Sequence, residues 1–362
     1  MARETRVHRI AMASPDDVSG ITALIDAGDL KASSIIAILG KTEGNGCVND
    51  FTRGYATQSL RMMLGRHVPA DDIDRICLIM SGGTEGAISP HWIVISVVET
   101  DAAPTGALAT AQAITRPLTP TEIGTMAQVD LVADAVRSAM AQASISAADD
   151  VHFVQIKCPL LTAERIEEAG GADIVSTTST LKSMGLSRGA SALGIAATLG
   201  EVDRDALSDA MISTDVSVYS SRASCSSGIE LMACEVLVMG MSDAWSGPLA
   251  IDHVVMADGI DLKSVHELLA QNLGPIEGQL TPVQSQRLLA VLAKAEASQS
   301  GHVRGRRHTM LDDSDISSTR HARGFVAGLL AGATGLTDLF VSGGAEHQGP
   351  DGGGPCAIIF ER

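Results

Sequence analysis

Three serines in this chain stand where an apolar run meets a glycine-rich turn. Ser81-Gly82-Gly83-Thr84-Glu85 and Ser342-Gly343-Gly344-Ala345-Glu346 share one pattern, and Ser226-Ser227-Gly228-Ile229-Glu230 keeps the serine, the glycine two on and the glutamate four on. A lysine ends an apolar run upstream of each serine: Lys41, Lys157 and Lys294. Between lysine and serine lies an arginine, namely Arg53, Arg188, and either Arg320 or Arg323. The order lysine, arginine, serine therefore occurs three times. Lysine deprotonates a serine hydroxyl only when burial or nearby positive charge destabilises its ammonium, and three arginines around one pocket would supply that charge. A lysine so placed activates serine as a nucleophile. Glycines after each serine let backbone N–H groups approach a developing oxyanion. Arginine forks bind carbonyl-type acceptors two-pronged. Together these parts describe acyl chemistry on a small, flat, roughly threefold molecule.

The elements that must position these groups repeat as well. In the first pass a strand over 7–12, a helix over about 15–27 and a strand over 35–39 lead to Lys41. A helix capped by Asn49-Asp50 then carries Arg53 to about Leu64, one strand ends at Ser81, and Trp92 to Glu99 closes the unit. After a linker at Asp101 to Gly106, strands at Leu108 to Ile114 and Val151 to Ile156 flank a helix over Met126 to Gln142 and deliver Lys157. Arg188 is expected to open a helix over Gly189 to Leu199, with Ser226 and a closing strand at Glu230 to Gly240 following. After Trp245 to Pro248 come a strand at Leu249 to Met256, a helix at Leu262 to Asn272 and a strand at Leu288 to Ala293 before Lys294. A helix beside Arg320 and Arg323, the strand to Ser342 and a last strand at Cys356 to Glu361 complete the pattern. The expected fold is α+β, with units 1–104, 105–247 and 248–362 around a pseudo-threefold axis, strands forming a central β-barrel and helices outside. Strand-end groups then converge on the axis and form one site.

Composition narrows the function. The 362 residues are 45% apolar, enough for a large core. A net charge of -17 with only 2% aromatics excludes nucleic acid as a partner, by repulsion and by lack of stacking surfaces. A compact neutral or weakly acidic substrate suits such a field. No stretch has the roughly 18 apolar residues of a membrane span. Cys47, Cys77, Cys158, Cys225, Cys234 and Cys356 form no C-x-x-C pair and read as reduced thiols of a cytoplasmic protein.

Side chains two apart on a strand face the same way. If the strands persist, Glu43 lies beside Lys41 and Glu296 beside Lys294, and each carboxylate holds its lysine protonated. Lys157, followed by Cys158-Pro159-Leu160-Leu161, has no such neighbour. It is therefore the expected base, with Ser226 as nucleophile, while Lys41, Lys294, Ser81 and Ser342 position the substrate. Other patterns read as ordinary structure. Ser179-Thr180-Leu181-Lys182 lacks the partner motifs of penicillin-binding enzymes, and His308, His321 and His347 lack zinc-ligand spacing.

The chain resembles the cyanuric acid hydrolase and barbiturase family of cyclic amide hydrolases over essentially its whole length. The likeness is carried by Gly40 through Asp50, Met80 through Gly86, Val154 through Leu161, Ser187 through Ala192, Arg307 through Leu311 and Ser342 through Pro355. It implies the threefold barrel, a homotetramer and hydrolytic opening of cyanuric acid to carboxybiuret, which decarboxylates to biuret. Its alternative is opening of barbituric acid to ureidomalonate, and a non-catalytic binding protein of the same fold is a further one. By resemblance, Ser226 attacks with Lys157 as base. Arg53, Arg188 and Arg323 bind the ring edges, and Ser81-Gly82, Ser226-Ser227 and Ser342-Gly343 contact ring carbonyls. Ser227 departs from the alanine or glycine expected there and adds a rival hydroxyl. The family needs no organic cofactor but has a divalent metal, magnesium or calcium, whose ligand pattern falls on Glu296, Ala345, Gln348, Gly349, Pro350 and Gly353.

Overall fold

A computed structural model describes residues 1–362. Twelve principal strands form three sheets. The first holds β1 (Ala2–Ala11), β2 (Ile35–Thr42), β3 (Cys77–Gly82) and β4 (His91–Thr100) in the order β3-β2-β4-β1. The second holds β5 (Ala107–Ile114), β6 (Val151–Pro159), β7 (Ala223–Gly228) and β8 (Glu235–Ser242) in the order β7-β6-β8-β5. The third holds β9 (Leu249–Met256), β10 (Leu288–Ala295), β11 (Phe340–Gly343) and β12 (Gly354–Glu361) in the order β11-β10-β12-β9. Each sheet has the same pairing: one parallel pair, whose crossover runs through a helix, and two antiparallel pairs. A short strand, Trp245–Ser246, adds to the edge of β1.

Period-two alternation sorts the side chains of each strand. Ala37, Leu39, Ile79, Phe153, Met239, Ile251, Leu292 and Phe340, drawn from all three sheets, share one central core. The opposite faces pack on the helices. In the first sheet Ile38 and Leu78 meet Leu60 and Leu64 of α1 (Phe51–Leu64). In the second, Val154 and Ile156 meet α2 (Met126–Gln142) and α3 (Thr180–Thr198) through Val136 and Ile195. In the third, Val291 and Val341 meet α4 (Leu262–Leu273) and α5 (Ser318–Thr334) through Leu269 and Val326. The fold is thus α+β with a threefold internal repeat. Main-chain pairing stays almost wholly within each sheet, and side chains close the seams around the axis.

Three local expectations are corrected. The helix expected to open at Arg188 starts a full two turns earlier, at Thr180, because Ser179 caps it by accepting from the Lys182 amide. Arg188 lies mid-helix. β2 ends at Thr42, so Glu43 is exposed and does not share the face of Lys41. The closing strand of the second sheet begins at Glu235, which leaves Glu230 in the preceding loop and free to fold inward.

Candidate active site

Lysine and serine face each other across the parallel pair of every sheet: Lys41 opposite Ser81, Lys157 opposite Ser226, and Lys294 opposite Ser342. Each lysine stands two residues beyond Leu39, Gln155 or Leu292, so alternation points it up the axis from the central core. All three ammonium groups are completely buried. One cavity of about 20 Å³ is lined by Arg53, Arg188 and Arg323, by Ser81, Ser226, Ser227 and Ser342, and by Gly82 and Gly343. The convergence expected from the repeat is present. Arg320, the competitor for the third arginine place, does not line this cavity, and its side chain is 39% exposed against 3% for Arg323.

Two of the three sets are alike. Lys41 Nζ donates to Ser81 Oγ at 3.2 Å, and Lys294 Nζ to Ser342 Oγ at 3.3 Å and to the Cys225 carbonyl at 2.9 Å. Burial, then the charge of Arg323, holds Lys41 well below the ordinary ammonium range, and burial with Arg188 pushes Lys294 down to about 7. The glutamate four residues after each serine is taken by the arginine of a neighbouring unit. Glu85 receives Arg323 at 2.8 and 2.7 Å, and Glu346 receives Arg188 at 2.8 and 2.6 Å, both as two-pronged pairs. Gly83 and Gly344 make room for them. Both have positive φ, +105° and +80°, and a Cβ on either would collide with the guanidinium of Arg323 or Arg188.

The second set breaks this symmetry. Gly228 is not left-handed, and the space above it holds the carboxylate of Glu230. That carboxylate reaches Lys157 Nζ at 2.7 Å. Lys157 also donates to the Met80 carbonyl at 2.6 Å, and the Ser226 hydroxyl lies 2.9 Å from that of Ser342. The expectation that Lys157 lacks a carboxylate neighbour is therefore wrong. Strand spacing missed Glu230 because the residue is in a loop, although its place four after the serine was already visible in the repeat. Burial lowers Lys157, and Glu230 opposes that shift. Arg53, lacking a glutamate partner, donates to the Ser227 carbonyl at 2.8 Å, and its buried Nε makes no hydrogen bond but lies 3.8 Å from Asp50 Oδ2. The Ser227 hydroxyl accepts from Arg188 Nη1 at 3.2 Å.

Sequence reasoning missed a second asymmetry. One rung below the lysine–serine pairs the first and third sheets carry Leu39 opposite Ile79 and Leu292 opposite Phe340. The second sheet carries Gln155 opposite Ser224, both fully buried, with Gln155 Oε1 and Ser224 Oγ unpaired.

The residues expected to hold a metal are partly gathered. Glu296, Ala345, Gly349 and Pro350 line a separate cavity of about 250 Å³. Burial and the neighbouring Glu346 raise the Glu296 carboxyl, a repulsion a cation would relieve. Gln348 does not line that cavity, and its Oε1 accepts from the Cys225 amide at 2.6 Å. Gly353 lies outside that lining and donates its amide to the Pro350 carbonyl. All six cysteines are free, and no helix is long and apolar enough to cross a membrane.

Comparison with known proteins agrees with this fold. A cyanuric acid amidohydrolase of Azorhizobium caulinodans is 60% identical over 361 residues, covering 99% of this chain and 98% of its own. One from a Bradyrhizobium strain is 57% identical, with the same coverage. The crystal structure of the A. caulinodans cyanuric acid hydrolase superposes with a TM-score of 0.92 at 58% identity, covering 99% of both chains. A second cyanuric acid hydrolase structure, described as an innovation by structural concatenation, gives 0.94 at 46% identity over the full length of both. A profile of ring-opening amidohydrolases matches residues 6–361, and the chain belongs to this family of amidohydrolase ring-opening proteins.

Proposed function

We propose that this protein hydrolyses cyanuric acid, adding water across one ring C–N bond to give carboxybiuret, which loses carbon dioxide to form biuret. The observation that supports it most is the convergence of three arginines and three serine turns on one cavity, a match for a ring with three equivalent carbonyl edges. The cavity as it stands has room for about one water. Ring entry therefore requires side chains lining the cavity to move.

In this reading Ser226 Oγ attacks a ring carbonyl. Lys157 in its neutral form takes the hydroxyl proton, and the Glu230 carboxylate stabilises the ammonium that results. The C–N bond then breaks, the ring nitrogen takes a proton, and water releases the acyl group from Ser226. While protonated, Lys41 and Lys294 donate to Ser81 and Ser342 and orient them, which suits these serines to holding carbonyls. Arg53, Arg188 and Arg323 grip the ring edges, with Lys41, Lys294, Gly82, Ser227 and Gly343 completing the walls. A second reading makes Ser81 the nucleophile. It is favoured by the direct Lys41–Ser81 contact and by the strongly depressed Lys41, which when neutral accepts from Ser81.

The proposal includes a hard divalent cation, magnesium or calcium, held at Glu296 and the main-chain carbonyls around it, with a structural role. It includes a cytoplasmic homotetramer. Incubation with cyanuric acid and, separately, barbituric acid tests the reaction: biuret must form from the first. Ureidomalonate from the second alone makes the protein a barbiturase, and binding without turnover of either makes it a non-catalytic relative.

A further inference from the structure

A second cluster of chemically capable side chains lies at the seam between the second and third sheets, far from the serines. His152 is the extra residue of an irregularity in β6 between Val151 and Phe153, which turns its ring out of the strand's alternation. It meets the edge strand β9. There His152 Nδ1 is 3.0 Å from His253 Nδ1 and 3.4 Å from Asp252 Oδ1, and the three ligand atoms all lie within 4.8 Å of one another. Five residues of strand separate His152 from Lys157, or roughly 17 Å.

We propose that His152, His253 and Asp252 form a site for a borderline divalent transition metal such as zinc or cobalt. With metal–ligand bonds of about 2.0–2.1 Å, neighbouring donors of a tetrahedral site stand about 3.3 Å apart, and the two measured edges bracket that spacing. Two imidazoles and one carboxylate select such ions over magnesium or calcium. The set also has its outer support. Asn272 of α4 donates to the second oxygen of Asp252 at 2.8 Å and fixes the carboxylate. Arg222, the nearby cation, is engaged by Glu201 at 3.0 Å. Side-chain exposures of 18% for His152 and 24% for Asp252 leave a path for an ion and for a water as fourth ligand.

The cluster belongs to this seam alone. The corresponding irregularities in β2 and β10 place Ile36 and Leu289 where β6 has His152. The register makes Arg9 and Gln112 the counterparts of His253. Neither of the other seams carries an imidazole pair. A bound ion would clamp β6 to β9 and so hold the second sheet to the third.

The test is titration of the full-length protein with cobalt(II) under excess magnesium, which keeps oxygen-donor sites occupied. One equivalent should bind and give the visible absorption of a low-coordinate cobalt centre. His253→Gln and His152→Ile should each weaken binding by more than about tenfold, and Asn272→Leu by about 10- to 100-fold. His152→Ile installs the side chain that β2 carries at the same place. Retained ring-opening turnover in these variants shows that they fold and separates this site from the proposed active site. Absence of cobalt binding to the unaltered protein, or binding by the two histidine variants as tight as by the unaltered protein, overturns the proposal.

Discussion

Glu230 lies 2.7 Å from the buried ammonium of Lys157, whereas its counterparts Glu85 and Glu346 are held by arginines of other units. The carboxylate raises a lysine that burial lowers. Glu230→Gln therefore drops the Lys157 pKa further, and the acid limb of the kcat/KM profile should move to lower pH. An unmoved limb would show that Lys157 is not the base. Below that lowered pKa the same change leaves the ammonium buried without its partner, at a cost of about 3–5 kcal/mol in urea unfolding.

The three serines should separate kinetically. Ser226→Ala is expected to lower kcat by at least about 10³-fold, the scale of losing a nucleophile. Ser81→Ala and Ser342→Ala should act mainly on KM. Steady-state kinetics on all three decides the matter, and loss of kcat confined to Ser81→Ala would move the reaction to the Lys41 pair.

Lys294 gives the stability a defined pH dependence. Its folded value of about 7 lies below the ordinary 10.5, so between these values the unfolded chain binds more protons than the native one. Stability should therefore rise with pH across that window, by up to about 1.4 kcal/mol per pH unit from this group. Lys294→Met, which fills similar volume without a charge, should flatten the rise. Urea midpoints at pH 7, 8.5 and 10 measure it.

Gln155 puts an unpaired carbonyl oxygen where its counterparts are Leu39 and Leu292. Gln155→Leu removes that unpaired oxygen, at the loss of one long hydrogen bond from Nε2 to the Ile156 carbonyl at 3.3 Å, and should stabilise the fold by about 1–3 kcal/mol. A lower unfolding midpoint would show that the amide is satisfied within the folded protein.

The sequence by itself determined the repeat, the fold class and which serines converge on one cavity with Arg53 and Arg188, though not whether Arg320 or Arg323 joins them. Strand and helix periods, with lysine, arginine and serine in fixed order, are local signals, and alternation alone aims Lys41 and Lys294 up from the core. Asp50 capping α1 was legible for the same reason, since its side chain accepts from the Thr52 amide two residues on. Only the tertiary structure decided which charges meet. Arg323 finds Glu85 and Arg188 finds Glu346 across unit boundaries, and no spacing along the chain encodes those distances. Glu230 reached Lys157 because Gly228 adopts a different backbone from Gly83 and Gly344, leaving its carboxylate the space that guanidinium groups fill in the other two turns. The three near-copies in sequence thus became two alike and one different, because packing around an axis gives each copy different neighbours.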